Sequence, residues 1–211
     1  MAKSGNIHSI WAYLRHFFTS WNTTGEGIHS PYLFHLVRFV IRDKNPFYCF
    51  AEIERKKAQL NACEERTDVG QMVFRVVNFM SQHEKRPLRI VELGATTGII
   101  TAYLSAPSTR NKVVCVDEDS LYKHARERID VAYVHGDYTK EEMLEFADWL
   151  LPRLTEKGVL MMEGVHDSAE TEQAWKELKN DKRVTSSIDV YYAGLLFVDR
   201  HYLKRNYIIR L

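Results

Sequence analysis

Residues 87–98 read Pro87-Leu88-Arg89-Ile90-Val91-Glu92-Leu93-Gly94-Ala95-Thr96-Thr97-Gly98, an apolar run that stops at a glycine and gives way to Ile99 and Ile100. A short apolar run bounded by turn residues reads as a buried strand, and the stretch that follows has helical spacing. Gly94 and Gly98 therefore fall in a strand-to-helix turn, where missing side chains let a ligand approach the backbone. A dinucleotide fingerprint needs glycine at its first, third and sixth positions. Counted from Gly94, the third and sixth are Thr96 and Ile99, so that reading fails on two of three glycines.

Downstream of Pro87, short apolar runs alternate with helical stretches, the pattern of strand-helix units around a largely parallel sheet. Strands are expected at Arg89 to Leu93, Lys112 to Val116, Val131 to Val134 and Val159 to Met162. Helices are expected near Ile99 to Ala106, Ser120 to Arg128, Thr139 to Leu154 and Ser168 to Asn180. Closing strands follow at about Thr185 to Tyr191, Gly194 to Val198 and Asn206 to Leu211. Their connections are too short for a crossover helix, so at least one pair must be antiparallel.

Upstream, Ile7, Ile10, Trp11, Leu14, Phe17, Phe18 and Trp21 recur at helical spacing. Residues 23–27 break the pattern, and Ser30-Pro31 opens a second helical segment running to Arg42, with Ser30 as cap and Pro31 in the first turn. Further helices are expected over Ala51 to Asn61 and Gly70 to Gln82. The chain thus divides into a helical, aromatic-rich extension, residues 1–68, and an α/β body, residues 69–211.

The 211 residues carry 29 basic and 28 acidic side chains, a net charge of +1, so no overall field draws nucleic acid or an acidic membrane. Cys49, Cys63 and Cys115 lack the spacing of a zinc site or a disulfide framework, which suits a reducing, cytoplasmic setting. No run approaches the ~20 apolar residues of a spanning helix, and no stable membrane insertion is expected.

The turn resembles motif I of the class I S-adenosylmethionine (SAM) methyltransferases, an acidic residue followed by alternating glycines. Here it comprises Glu92, Gly94, Thr96 in place of the middle glycine, and Gly98. Small-molecule O-methyltransferases commonly carry this variant. The resemblance extends to Gly70-Gln71-Met72 upstream and to Asp117 at the end of the second strand. The whole chain is similar to a subgroup of SAM-dependent methyltransferases found in Bacteroidetes, on the markers Gly27-Ile28-His29-Ser30-Pro31, Val165-His166 and Gly194-Leu195. The resemblance implies a Rossmann-like methyltransferase sheet and SAM held by Gln71, Glu92, Gly94, Thr96, Gly98 and Asp117. Asp117 would accept hydrogen bonds from the ribose hydroxyls.

Two departures from that family stand out. A complete sheet has the order 3-2-1-4-5-7-6, but the 13 residues between Asp117 and Val131 hold one helix and no further strand at ~1.5 Å per residue. The family's third strand is expected to be missing. In metal-dependent relatives, aspartates at two strand ends hold a divalent cation; here His135 and Glu163-Gly164 stand in their places, and no site for that hard cation is expected.

The strand-end residues His135, Asp137, Glu163 and His166 are then the candidates for proton removal from an acceptor. The first reading is a SAM-dependent methyltransferase acting on oxygen or nitrogen of a small molecule without the usual metal triad. The second is a catalytically degenerate scaffold of the same fold. For the aromatic N-terminal helix, packing within the chain or between two copies as a homodimer is favoured over a membrane surface.

Overall fold

The computed structural model describes residues 7–20, 27–62, 65–117, 120 and 127–211. The helical segments ahead of the sheet are α1 (Ile7–Thr19), α2 (Pro31–His35) with its π-helical continuation Leu36–Ile41, α3 (Phe50–Gln59) and α4 (Thr67–His83). The body runs β1 (Arg89–Leu93), α5 (Ile99–Ser105), β2 (Lys112–Val116), β3 (Ile129–Val134), α6 (Lys140–Leu150), β4 (Leu154–Glu163), α7 (Ala169–Asn180), β5 (Ser186–Asp189), β6 (Ala193–Phe197) and β7 (Arg205–Ile208). The helix expected over residues 120–128 lies, apart from Ser120, Glu127 and Arg128, outside the described residues. So do Trp21 and Cys63.

The seven strands form one sheet in the order β2-β1-β3-β4-β6-β5-β7. The strands β2, β1, β3 and β4 are mutually parallel, and β6 runs antiparallel to both β4 and β5. β7 pairs parallel with β5. Among the described residues β2 is the edge; β1 to β6 follow the expected order without its third strand, and β7 adds a strand beyond β5 that the expected order lacks. The edge strand carries the burial of that position: only Val116 of its five residues is buried.

Period-two alternation divides the sheet residues between two cores. Ile90, Val131, Tyr133, Val159 and Met161 pack with residues of α2 to α5. Val91, Leu93, Ala132, Val134, Leu160 and Met162 pack with α6 and α7. Leu33, Leu36 and Val37 from the N-terminal extension belong to the first of these cores, so part of the extension shares its interior with the body.

The Gly-Ile-His-Ser-Pro run is a helix-starting device. Gly27 takes φ +84°, the Ser30 side chain accepts from the Leu33 amide at 3.3 Å, and Pro31 sits in the first turn of α2.

In α1 the expected faces are exchanged. Ala12, His16 and Ser20 are buried, whereas Trp11 and Phe18 are 68% and 73% exposed. The helix docks within the chain through its small and polar stripe, because its partner is a carboxylate, Asp189, and not an apolar groove. Among the described residues, no helix is long and apolar enough to cross a membrane.

Candidate functional site

Strand register assembles the site. Glu92 of β1 lies opposite Cys115 of β2 and Tyr133 of β3, and Tyr133 lies opposite Met161 of β4. His135 follows Tyr133 by two residues and Glu163 follows Met161 by two, so alternation turns Glu92, Tyr133, His135 and Glu163 to one face of the sheet at the carboxyl ends of the strands. That face is the one covered by α4, and the segment leading into α4 supplies Glu65.

Glu92 is fully buried. Its carboxylate lies 2.8 Å from His135 Nε2 and accepts from the Cys115 thiol at 3.5 Å. The other ring nitrogen of His135 lies 3.9 Å from Glu163 Oε2, and the Tyr133 hydroxyl donates to that oxygen at 3.0 Å. Thr97, from the turn itself, donates to Glu65 at 2.9 Å.

Burial pulls the His135 pKa down, but the hydrogen bond and charge of Glu92, with Glu163 and Glu65, more than offset it and leave the value raised. Burial pushes the Glu163 carboxyl up, and the charge of Glu65 adds to this against the Tyr133 hydrogen bond. The Tyr133 hydroxyl is pushed well above its ordinary value by burial and by Glu163.

Gly94 and Gly98 take φ +81° and +72°, the left-handed conformation that favours glycine. A side chain at Gly94 would collide with the Tyr138 hydroxyl, whereas one at Gly98 would meet open space. Thr96 is exposed on the turn. Asp117 is exposed at the end of β2, where its Oδ1 accepts from the Ser120 amide at 2.7 Å. Gln71 is half-buried on α4, its side-chain oxygen 3.5 Å from an Arg75 guanidinium nitrogen.

His166 is held in a second cluster. Its Nε2 lies 2.9 Å from Asp189 Oδ2, the Trp175 indole donates to the same oxygen at 2.7 Å, and His16 Nε2 lies 3.3 Å from Asp189 Oδ1. The imidazole stacks on Tyr191 with centroids 5.4 Å apart. Burial opposes ionisation of Asp189, but His16 and His166 hold its pKa well below the usual carboxylate range. His16, His166, Trp175 and Asp189 line a cavity of about 210 Å³ together with Arg15, Lys176 and Lys179.

Of the sequence-expected residues, Glu92, His135 and Glu163 come together beside the Gly94 turn. His166 joins the Asp189 cluster, and Asp137 is exposed with φ +72° in the loop after β3. Reading the sequence missed Tyr133, which strand alternation places beside His135, and Tyr138 over Gly94. It also missed Glu65 and Asp189, which reach their partners across the fold with no local signal.

No protein-family model matches the chain, and no curated protein matches it in sequence. Solved structures do match in shape. The cofactor-bound protein Rv0187 from MTB superposes with TM-score 0.57 at 12% identity, over 75% of this chain and 93% of that one. The SAH-bound methyltransferase PaMTH1 from Podospora anserina gives 0.55 at 11% identity, over 74% and 90%. The O-methyltransferase TomG from Streptomyces achromogenes, in complex with SAM, gives 0.53 at 14% identity, over 91% and 98%. The chain has the class I methyltransferase fold. At these identities the likeness concerns the fold alone.

Proposed function

We propose that this protein is a SAM-dependent methyltransferase acting on an oxygen or nitrogen of a small molecule. The observation that carries the reading is the turn after β1, where Gly94 and Gly98 hold left-handed backbone at the carboxyl end of a central strand. Such a turn exposes its backbone to a ligand, and Asp117 ends the neighbouring strand as an exposed carboxylate able to accept from a vicinal diol. The open space beside Gly98 and the SAM- or SAH-bound state of similarly folded proteins support the same ligand. When bound, the cofactor supplies an electrophilic methyl group. Glu92 anchors His135 next to the turn, and the His135–Glu163–Glu65 cluster is the group best situated to handle the acceptor's proton.

In-line methyl transfer depends mainly on proximity and orientation, so the turn matters more than a strong base. The scaffold alternative gains no support from the fold comparisons. Calorimetry with S-adenosylhomocysteine tests the reading directly. The native chain should bind, and Asp117→Ala should bind roughly ten-fold or more weakly, the equivalent of ~1.5–3 kcal/mol for a hydrogen bond to a charged group. Folded protein that gives no heat of binding at millimolar ligand would sink the proposal.

A further inference from the structure

We propose that Glu65, His135 and Glu163 form a binding site for one divalent first-row transition-metal ion. Each of the three residues offers a donor atom, and those atoms all lie within 4.8 Å of one another, a span that one ion closes with small side-chain adjustment. The donor set is one imidazole nitrogen and two carboxylate oxygens. Such a mixed set suits Mn²⁺, Fe²⁺, Co²⁺ or Zn²⁺ better than Mg²⁺ or Ca²⁺, which favour oxygen alone.

Each donor is oriented from behind. His135 Nε2 lies 2.8 Å from the buried Glu92 carboxylate. A proton there fixes the tautomer and turns the Nδ1 lone pair towards Glu163, 3.9 Å away. Carboxylate, histidine and metal in series is a recurrent arrangement that sets ring orientation and raises ligand basicity. Glu65 receives the Thr97 hydroxyl at 2.9 Å, and Glu163 receives the Tyr133 hydroxyl at 3.0 Å. The two carboxylates come within 4.8 Å of each other and of the His135 imidazole. The neighbouring cation is committed elsewhere: Arg66 pairs with Asp68 at 2.7 Å and lies over the Tyr192 ring at 3.3 Å.

Two of these ligands, His135 and Glu163, stand at the strand ends where metal-dependent relatives carry aspartates; the set departs from theirs in its imidazole and in Glu65, which comes from the segment ahead of α4. An ion held by three protein donors keeps open positions for water or an acceptor oxygen, whose pKa it would lower. That last step rests on the methyltransferase reading; the binding of the ion does not. Among the described residues one other cluster has three potential ligands within the same span, Glu156, Asp199 and His201. It lies at the surface, with the His201 side chain 80% exposed and the Glu156 side chain 63% exposed, and serves as the internal control.

The test is titration of chelator-treated protein with Co²⁺, followed by visible absorption and calorimetry, in the native chain and in Glu65→Gln, Glu163→Gln and His201→Ala. The proposal expects one Co²⁺ per chain, bound at least ten-fold more weakly in each glutamine variant and equally well in His201→Ala. Millimolar Mg²⁺ should not displace it. Absence of stoichiometric binding by the folded native chain overturns the site, as does binding that survives either glutamine substitution unchanged or is lost in His201→Ala. Circular dichroism establishes that each variant is folded, and either glutamine variant alone suffices to decide. Failure to bind S-adenosylhomocysteine would leave the Co²⁺ result standing, so the two proposals fail separately.

Discussion

Two buried carboxylates at the carboxyl edge of the sheet are each met by histidine, and their surroundings differ in the sign of what is left over. At Asp189 two histidines and an indole converge on one carboxylate. At Glu92 one histidine is taken up by one carboxylate, and Glu65 and Glu163 crowd its far side. The first arrangement satisfies the carboxylate and ties α1 and α7 to β5, although the far ring nitrogen of His166 is buried without a hydrogen-bond partner. The second keeps an excess of negative charge in a partly dehydrated place. A saturated buried charge serves architecture, whereas an unsaturated one asks for a ligand.

The largest effect should come from breaking the saturated cluster. Asp189→Asn removes the charge on which His16, His166 and the Trp175 indole converge, and losing hydrogen bonds to a buried charged group costs ~1.5–3 kcal/mol apiece. Urea unfolding at neutral pH measures this directly. The pH dependence follows from the lowered pKa of Asp189, which His16 and His166 cause against the opposing effect of burial. A depressed carboxyl stabilises the fold above its unfolded value of ~3.9 and loses that contribution as pH falls through the folded value. The gap between native protein and variant should therefore be widest near neutrality and shrink below ~pH 4. A constant gap would mean that Asp189 acts through packing alone.

Gly194 tests the same cluster through sterics. A Cβ there would strike the Trp175 ring, which must lie flat on β6 for its indole to reach Asp189. Gly194→Ala should cost ~1–3 kcal/mol, as overpacking of a well-filled core does. It should also disturb the near-ultraviolet signal of the tryptophan. This contact gives a physical reason for the glycine of the Gly194-Leu195 run.

The same contrast explains what could be read in the sequence. The strands Arg89–Leu93 and Lys112–Val116 begin and end where expected, because glycine, proline and charged residues bracket short apolar runs. The 13 residues between Asp117 and Val131 read as too few for a further strand, and most of them lie outside the described residues. The helix expected to reach Leu154 instead ends at Leu150. Pro152 confines the next residues to a single 3₁₀ turn, and Leu154 already enters β4, ahead of the expected start at Val159. His135 and Glu163 were legible as strand-end residues, and alternation ties them to Glu92. Glu65 and Asp189 were not, since Glu65 meets Thr97 across 32 residues and Asp189 meets His16 across 173. The aromatic stripe of α1 misled for a related reason: its docking face was chosen by Asp189, a residue near the other end of the chain.

The smallest effect has the opposite sign. Burial, with repulsion from Glu65, raises the Glu163 pKa against the Tyr133 hydrogen bond and the charge of His135. Glu163→Gln keeps an oxygen to accept from Tyr133 but removes the charge that burial and Glu65 disfavour, so in the presence of a chelator the variant should be slightly more stable at neutral pH. A raised carboxyl stabilises the fold while protonated and loses that contribution as pH rises through the folded value. The advantage of the variant should therefore vanish below ~pH 4. Thermal unfolding with Co²⁺ should reverse the order, because an ion that binds only the native fold stabilises it by mass action and finds one ligand fewer in the variant. A variant less stable than the native chain in chelator would place Glu163 with Asp189, as a carboxylate that holds the structure together and leaves nothing for a ligand to neutralise.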